Sequence, residues 1–448
     1  MSVYQRETLS NGLRVLTAPL DHAQSVACYV MLAAGSRYEE QTNRGIAHFA
    51  EHMFFKGTKR RPTARDLSME VDKIGGEFNA FTSKEYTGYY IRCAGEVDAM
   101  GAEFNAFTGK EYTGYYIRCA AADRDHALDV LVDMVRRSKF DAEELEREKG
   151  VIIEEMNMYF DTPRDYVSSM YEELVFGSNP LGWETLGTRE TVSAATRETF
   201  LDYIGDWYHP ERMVVGVAGM IGDDLLPKLE RLLGDMPADG TDRPAPAQVE
   251  RTPEPRVRVL RKDSDQANVC VGVPSYPLDH PDRYALFLLG TVLGTGMSSR
   301  LFLEVRERRG LAYYVFAHNS SYTDAGTLFA QGGVDLKRAD EAVKVIADEF
   351  RKLADEPVPA EELEKARALA KGRFVLQTES PNGLILFGLR REVLEGAAIE
   401  PEELLAGLDA VTAEDVQRVA QDVIGGTGLR LALIGPFDEP EKFEQLLA

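Results

Sequence analysis

Two stretches far apart in the chain spell nearly the same strand. Met213-Val-Val-Gly-Val-Ala-Gly is followed by acidic residues and a helix-like run through 229–233. Leu429-Arg-Leu-Ala-Leu-Ile-Gly is followed by Pro-Phe-Asp-Glu and a helix-like run to the C-terminus. Between them, Met236-Pro-Ala-Asp-Gly-Thr-Asp-Arg-Pro-Ala-Pro-Ala, continuing to Pro253 and Pro255, lacks periodicity and is dense in Pro, Gly and Asp, so it reads as a linker. Each half opens with alternating apolar strands, such as Ser25–Leu32 and 267–273. Each then passes into amphipathic helices, such as 122–137 and 339–354. The pattern predicts two similar α+β domains, 1–235 and 257–448, joined by 236–256. In each, helices pack on a largely antiparallel sheet, and the two face one another across a cleft.

A second repeat is far sharper. Residues 70–94 (EVDKIGGEFNAFTSKEYTGYYIRCA) recur as 96–120 (EVDAMGAEFNAFTGKEYTGYYIRCA), and the copies differ only at Lys73/Ala99, Ile74/Met100, Gly76/Ala102 and Ser83/Gly109. Each copy reads as a helix end, a glycine stop, a strand, a Lys-Glu turn and a second strand, which is a β-hairpin. Solenoids need three or more repeats. Two near-identical copies therefore read as a recent tandem duplication or a sequence error.

Residues 45–55 (GIAHFAEHMFF) form a helix-like run that is apolar except for His48, Glu51 and His52. One turn separates the two histidines, so both imidazoles leave the same face, as two ligands of a tetrahedral zinc must. Glu51 stands beside them, placed to take a proton from a water that the metal has acidified. The order H-x-x-E-H is a zinc-peptidase signature, inverted from the commoner H-E-x-x-H. The bland alternative, two core histidines and a surface Glu, leaves a carboxylate on an otherwise apolar helix without an explanation.

A catalytic zinc takes three protein ligands and leaves the fourth position open. The third is sought on the helix that Asp141 caps and Thr162-Pro163 ends. Its apolar stripe runs Leu145, Ile152, Met156, Tyr159, and Glu148 and Glu155 fall on it two turns apart. Arg147, Gly150, Glu154 and Met158 mark the outward side. This phase selects Glu155 as ligand and Glu148 as its support, and leaves Glu154 in solvent.

His48–His52, the segment ELEREKGVIIEEM and Phe78-Asn79-Ala80 together resemble the pitrilysin/insulinase-type zinc endopeptidases, nearest to the β-type mitochondrial processing peptidase and its bacterial relatives. The resemblance covers the whole chain and implies a LuxS/metallopeptidase-like fold. In that family the third ligand follows the second histidine by roughly seventy-five residues, seven positions after a supporting Glu. Here Glu155 follows Glu148 by 7 (155 − 148) but His52 by 103 (155 − 52). Removing the repeat offset of 26 (96 − 70) leaves 77, so the duplicated hairpin accounts for the excess. The resemblance further implies that Arg306 and Tyr313 form an Arg/Tyr element contributed by the second domain. Tyr313 would donate to the tetrahedral oxyanion, with Arg306 holding the substrate backbone or Tyr313 itself. It also implies that an extended peptide adds as a strand along Phe-Asn-Ala, either at Asn79 and Ala80 or at the second copy, Asn105 and Ala106. The first copy is favoured because it follows directly from the helix at 64–74.

The formal charge of −23 argues against a nucleic-acid partner, which requires basic patches. The apolar stretch at 26–35 falls well short of the roughly 20 residues of a membrane span. Cys28, Cys93, Cys119 and Cys270 lack CxxC spacing and read as buried free thiols, which places the chain in a cytoplasm. Gly294-Thr-Gly296 has no third glycine for a dinucleotide loop, and His22, His126, His209, His280 and His318 have no ligand spacing. The expectation is one Zn2+ per chain, a peptide substrate, neither nucleic acid nor membrane as partner, and, by resemblance, a homodimer. The competing expectation is a silent member of the same fold, a structural or partner subunit whose edge strand the extra hairpin blocks.

Overall fold

The computed structural model describes residues 2–21, 23–74, 79–82, 85–91, 109–110, 112–238, 248–249 and 256–447. They gather into two compact units, 1–156 with 184–246 and 375–401, and 157–183 with 247–374 and 402–448. Two segments thus cross the division read at 236–256, one from each side.

The first unit contains β1 (Gln5–Thr8), β2 (Arg14–Pro19), β3 (Ser25–Leu32), α1 (Ile46–Phe54), α2 (Ala64–Asp72), β4 (Asn79–Thr82), β5 (Glu85–Ile91), β6 (Gly109–Lys110), β7 (Tyr112–Ala120) and α3 (Arg124–Arg137). It also holds most of α4 (Ala142–Phe160). The next helix, α5 (Pro163–Phe176), belongs to the second unit, and β8 (Met213–Gly219) returns to the first. The sheet order is β1-β2-β8-β3-β7-β5-β4, with β6 on β5. β3 is antiparallel to both β7 and β8, whereas β2–β8 and β5–β7 are parallel.

The second unit contains β9 (Val257–Arg261), β10 (Ala267–Ser275), β11 (Ala312–Ser321), β12 (Gly326–Val334) and β13 (Arg430–Gly435), in the order β11-β12-β10-β13-β9. Only β9–β13 is parallel. The echo read in the sequence is therefore a topological one. β8 and β13 each run antiparallel to their unit's central strand and parallel to an earlier strand, β2 or β9.

The central strands explain the crossing segments. β10 is buried along its whole length and β3 along all but its first residue, so each sheet needs a cover on both faces. In the first unit one face carries the large core of α1, α3 and their neighbours. Its other face, with Leu16, Tyr29, Met31 and Val214, is closed by Leu384, Ile385, Leu389 and Val393 of the helix Pro381–Glu395. Burial of four such side chains stabilises by about 1.5–3 kcal/mol each. Gly216 makes the approach possible, since a Cβ there would lie 2.2 Å from Leu389. In the second unit α5 does the same work, with Val167, Met170, Tyr171 and Val175 against Cys270, Phe329, Ala432 and Ile434.

Both covers are pinned by polar contacts, one part-buried and one buried. Arg14 Nη1 donates to the Glu392 carboxylate at 2.9 Å, and Arg430 Nη1 donates to the Leu174 carbonyl near the end of α5 at 2.9 Å. Among the described residues, no helix is long and apolar enough to cross a membrane.

Candidate metal centre

α1 begins at Gly45, whose φ of +87° and whose missing Cβ (it would meet the Leu186 carbonyl at 2.5 Å) make glycine necessary there. Its free amides are not capped by a neighbouring side chain. Buried Glu39 reaches in instead, accepting from the Gly45 and Ala47 N–H groups at 2.8 and 2.9 Å. Burial pushes this carboxyl up to about 8, against the opposing pull of those two amides. On one side α1 packs Phe49 and Phe54 edge-on against Phe200 and Phe140. His48 and Glu51 are buried as well, although both are polar.

α4 supplies the rest. Asp141 accepts from the Glu143 N–H at 3.0 Å and so caps it as read. Arg147, Gly150, Glu154 and Met158 are exposed and Glu148 is buried, which is the helical phase inferred from the stripe. Glu155 Oε2 lies 3.6 Å from His48 Nε2 and 3.7 Å from His52 Nε2. These gaps are too long for hydrogen bonds. They match two donors sharing one ion, since arms of about 2.0–2.2 Å at a tetrahedral angle end about 3.3–3.6 Å apart. Among the described residues, His48, His52 and Glu155 form the one such group, with ligand atoms all within 4.8 Å of one another. Two imidazoles and a carboxylate suit a borderline divalent transition ion.

Burial dominates the electrostatics of the cluster. Burial, then the neighbouring His52, holds His48 well below the ordinary imidazole range, so it is neutral. Burial, then Glu155, lifts Glu51 well above the usual carboxylate range. Burial also raises Glu155, with His52 opposing. Among the described residues neither His48 Nδ1 nor Glu51 Oε2 has a hydrogen-bond partner. Buried polar atoms left this way cost stability and persist where they serve a ligand or a reaction. Glu148 behaves differently. Burial would raise it, but hydrogen bonds with His52 and Lys56 prevail and hold it below its ordinary value.

Arg306 and Tyr313 lie together in the second unit, the Arg306 guanidinium 5.8 Å from the Tyr313 ring centroid and 4.8 Å from that of Phe302. Arg306 belongs to a π-helical turn, Phe302–Arg308. Tyr313, 76% exposed, sits where the β11–β12 register slips between Ala312 and Tyr314. Both irregularities recur at functional positions because they redirect a side chain.

Asn79 and Ala80 pair through β4 with Tyr90 and Tyr89, and β4 ends the sheet with α1 packed against it. Asn105 and Ala106 lie outside the described residues. Sequence reasoning missed Glu39 and Lys56, whose partners are distant in the chain and leave no periodic signal.

A family model described as "Insulinase (Peptidase family M16)" matches residues 14–96 and 92–189, two pieces that meet inside the repeat. A second, "Peptidase M16 inactive domain", matches 194–369. The chain belongs to this insulinase-type peptidase family. It is 35% identical over 434 residues to an uncharacterized zinc protease of Bacillus subtilis, YmxG, covering 96% of this chain and 98% of that one. It is 32% identical over 446 residues to an uncharacterized zinc protease of Mycobacterium tuberculosis, Rv2782c, covering 99% and 95%. A Helicobacter pylori protease shares the fold at a TM-score of 0.83 and 23% identity, over 97% of this chain and all (100%) of that chain.

Proposed function

We propose that the chain is a zinc-dependent endopeptidase with one zinc per chain, held by His48, His52 and Glu155. The observation that carries this reading is the convergence of those three donors beside Glu51, whose buried carboxylate has an oxygen without a partner among the described residues. Zinc, when bound, supplies a Lewis acid that polarises the scissile carbonyl and acidifies water. Glu51 is the general base: ionised once positive charge stands beside it, it takes the proton of the attacking water and returns it to the leaving amine. Glu148 fixes the His52 ring. Tyr313, steadied by Arg306, is assigned the hydrogen bond to the oxyanion, on the strength of the family resemblance and the backbone irregularities that expose it. Asn79 and Ala80, on the terminal strand, are assigned to the peptide backbone.

The substrate class is peptides or unfolded segments, with neither nucleic acid nor membrane as partner and a homodimer as the expected assembly. We place the protein in the cytoplasm because Cys119 and Cys270 are free and buried.

The test is cleavage of a quenched fluorescent peptide library with and without chelator, paired with Glu51→Gln. That variant is expected to retain zinc and lose about 10²–10⁴-fold in turnover. Undiminished cleavage by it would overturn the mechanism. One observation favours a second reading, that of a silent subunit: β5 stands between β7 and β4, so the edge strand is one strand further out than a single hairpin would put it. Zinc binding without cleavage of any peptide would select this reading.

A further inference from the structure

Glu148 is gripped from two sides. Its Oε1 lies 2.8 Å from His52 Nδ1, and its Oε2 lies 2.6 Å from Lys56 Nζ. Lysines this near the surface usually wander, and this one is restrained at its backbone. The Lys56 N–H donates to the Met53 carbonyl just past the end of α1. Gly57 follows at φ +116°, where a Cβ would meet the Pro62 carbonyl at 2.5 Å. Thr58, fully buried, donates to Asp133 of α3 at 2.6 Å and bridges to Ser138, while Arg61 donates to the same carboxylate at 2.9 Å. The loop bearing Lys56 is thereby fastened to α3, and its ammonium, three-quarters buried, has a fixed place beside Glu148.

The two histidines are supported unequally. His52 has this carboxylate on Nδ1, whereas His48 Nδ1 has no partner among the described residues. Orientation of the pair therefore depends on His52, and that of His52 on Glu148. A carboxylate held at one oxygen only can swing about its side chain; held at both, it cannot.

We propose that Lys56 is a positioning residue of the metal centre: by clamping the far oxygen of Glu148 it fixes the near one against His52 Nδ1, which leaves His52 Nε2 directed at the ion. The proposal rests on the zinc reading above and extends it by one residue. Lys56 touches neither ion nor substrate, so its removal acts on how tightly the ion is held.

The experiment is competition for zinc between the full-length protein and a chromogenic chelator, for the wild type, Lys56→Met, Lys56→Gln and Lys56→Arg. Circular dichroism and melting of the metal-free forms run alongside. Lys56→Met is expected to bind zinc about 10–100-fold more weakly, with Lys56→Arg restoring most of the loss. Should Lys56→Met fail to fold, Lys56→Gln, which keeps a donor without the charge, takes its place under the same criterion. A loss below about fivefold in a folded variant, or equal losses in Met and Arg, overturns the proposal. A wild type that binds no zinc would defeat the peptidase reading itself, and His48→Ala distinguishes that failure from this one.

Discussion

The two units use the same topological position for opposite ends. After its central strand β3 the first unit builds α1, IAHFAEHMF, and buries His48 and Glu51 in it. After β10 the second unit builds the helix Arg283–Gly294, RYALFLLGTVLG, and buries Leu286, Leu288, Leu289, Val292 and Leu293. The second helix spends its inner face on packing; the first gives up packing for two buried polar groups that the described residues leave partly unpaired. The hairpins diverge too. β11 sits directly on β12, whereas β7 has β5 beside it, its own copy, paired in parallel with like against like: Gly88 with Gly114, Tyr89 with Tyr115, Tyr90 with Tyr116. The first unit thus keeps buried polar groups at a position where the second packs apolar side chains.

The sharpest way to break this contrast is to make α1 resemble its counterpart. Glu51→Met is expected to abolish turnover, by about 10²–10⁴-fold or more, while raising the melting temperature of the metal-free protein by a few degrees. A drop in that melting temperature would mean that the carboxylate is satisfied after all. Next in size is Tyr313→Phe in the other unit. With the side chain exposed at a bulge, peptide turnover should fall about 10²–10³-fold with melting unchanged.

Deletion of 95–120 sharpens the comparison of the hairpins. It joins Ala94 to Ala121, so β5 runs on into α3 as β7 now does, and β4 moves inward by about 4.8 Å, one strand spacing. The shortened chain should fold and cleave peptides severalfold faster; failure to fold would show that the copies are not interchangeable.

The smallest effect concerns Glu39. Its folded-state value of about 8 exceeds the ordinary 4.5, so the native state holds a proton that the unfolded chain releases. Stability from this group therefore falls as pH rises between those values. The melting-temperature advantage of the wild type over Glu39→Gln should shrink from pH 5 to pH 8. A constant difference across that range would put the carboxylate's titration elsewhere.

Much of this was legible beforehand. Ser25–Leu32, the strand echo at 213 and 429, and the phase of α4 that selects Glu148 and Glu155 all follow from periodicity, which is local. Glu39, Lys56 and the crossing helices were not legible, because each acts through a partner far along the chain. The helix Pro381–Glu395 carries only a diffuse apolar pattern, so nothing in it specifies β2, β3 and β8 as its seat. The one available clue was β3 itself, too continuously apolar for a strand with a wet face. The slip that exposes Tyr313 arises from pairing with β12, and no residue type announces it.

The loan of one helix in each direction has a genetic consequence. A break at 236–256 would deprive each half of the cover for one face of its sheet, leaving two fragments with bare apolar walls. The two halves are therefore expected to fold together and not apart, so a gene split there should yield insoluble pieces.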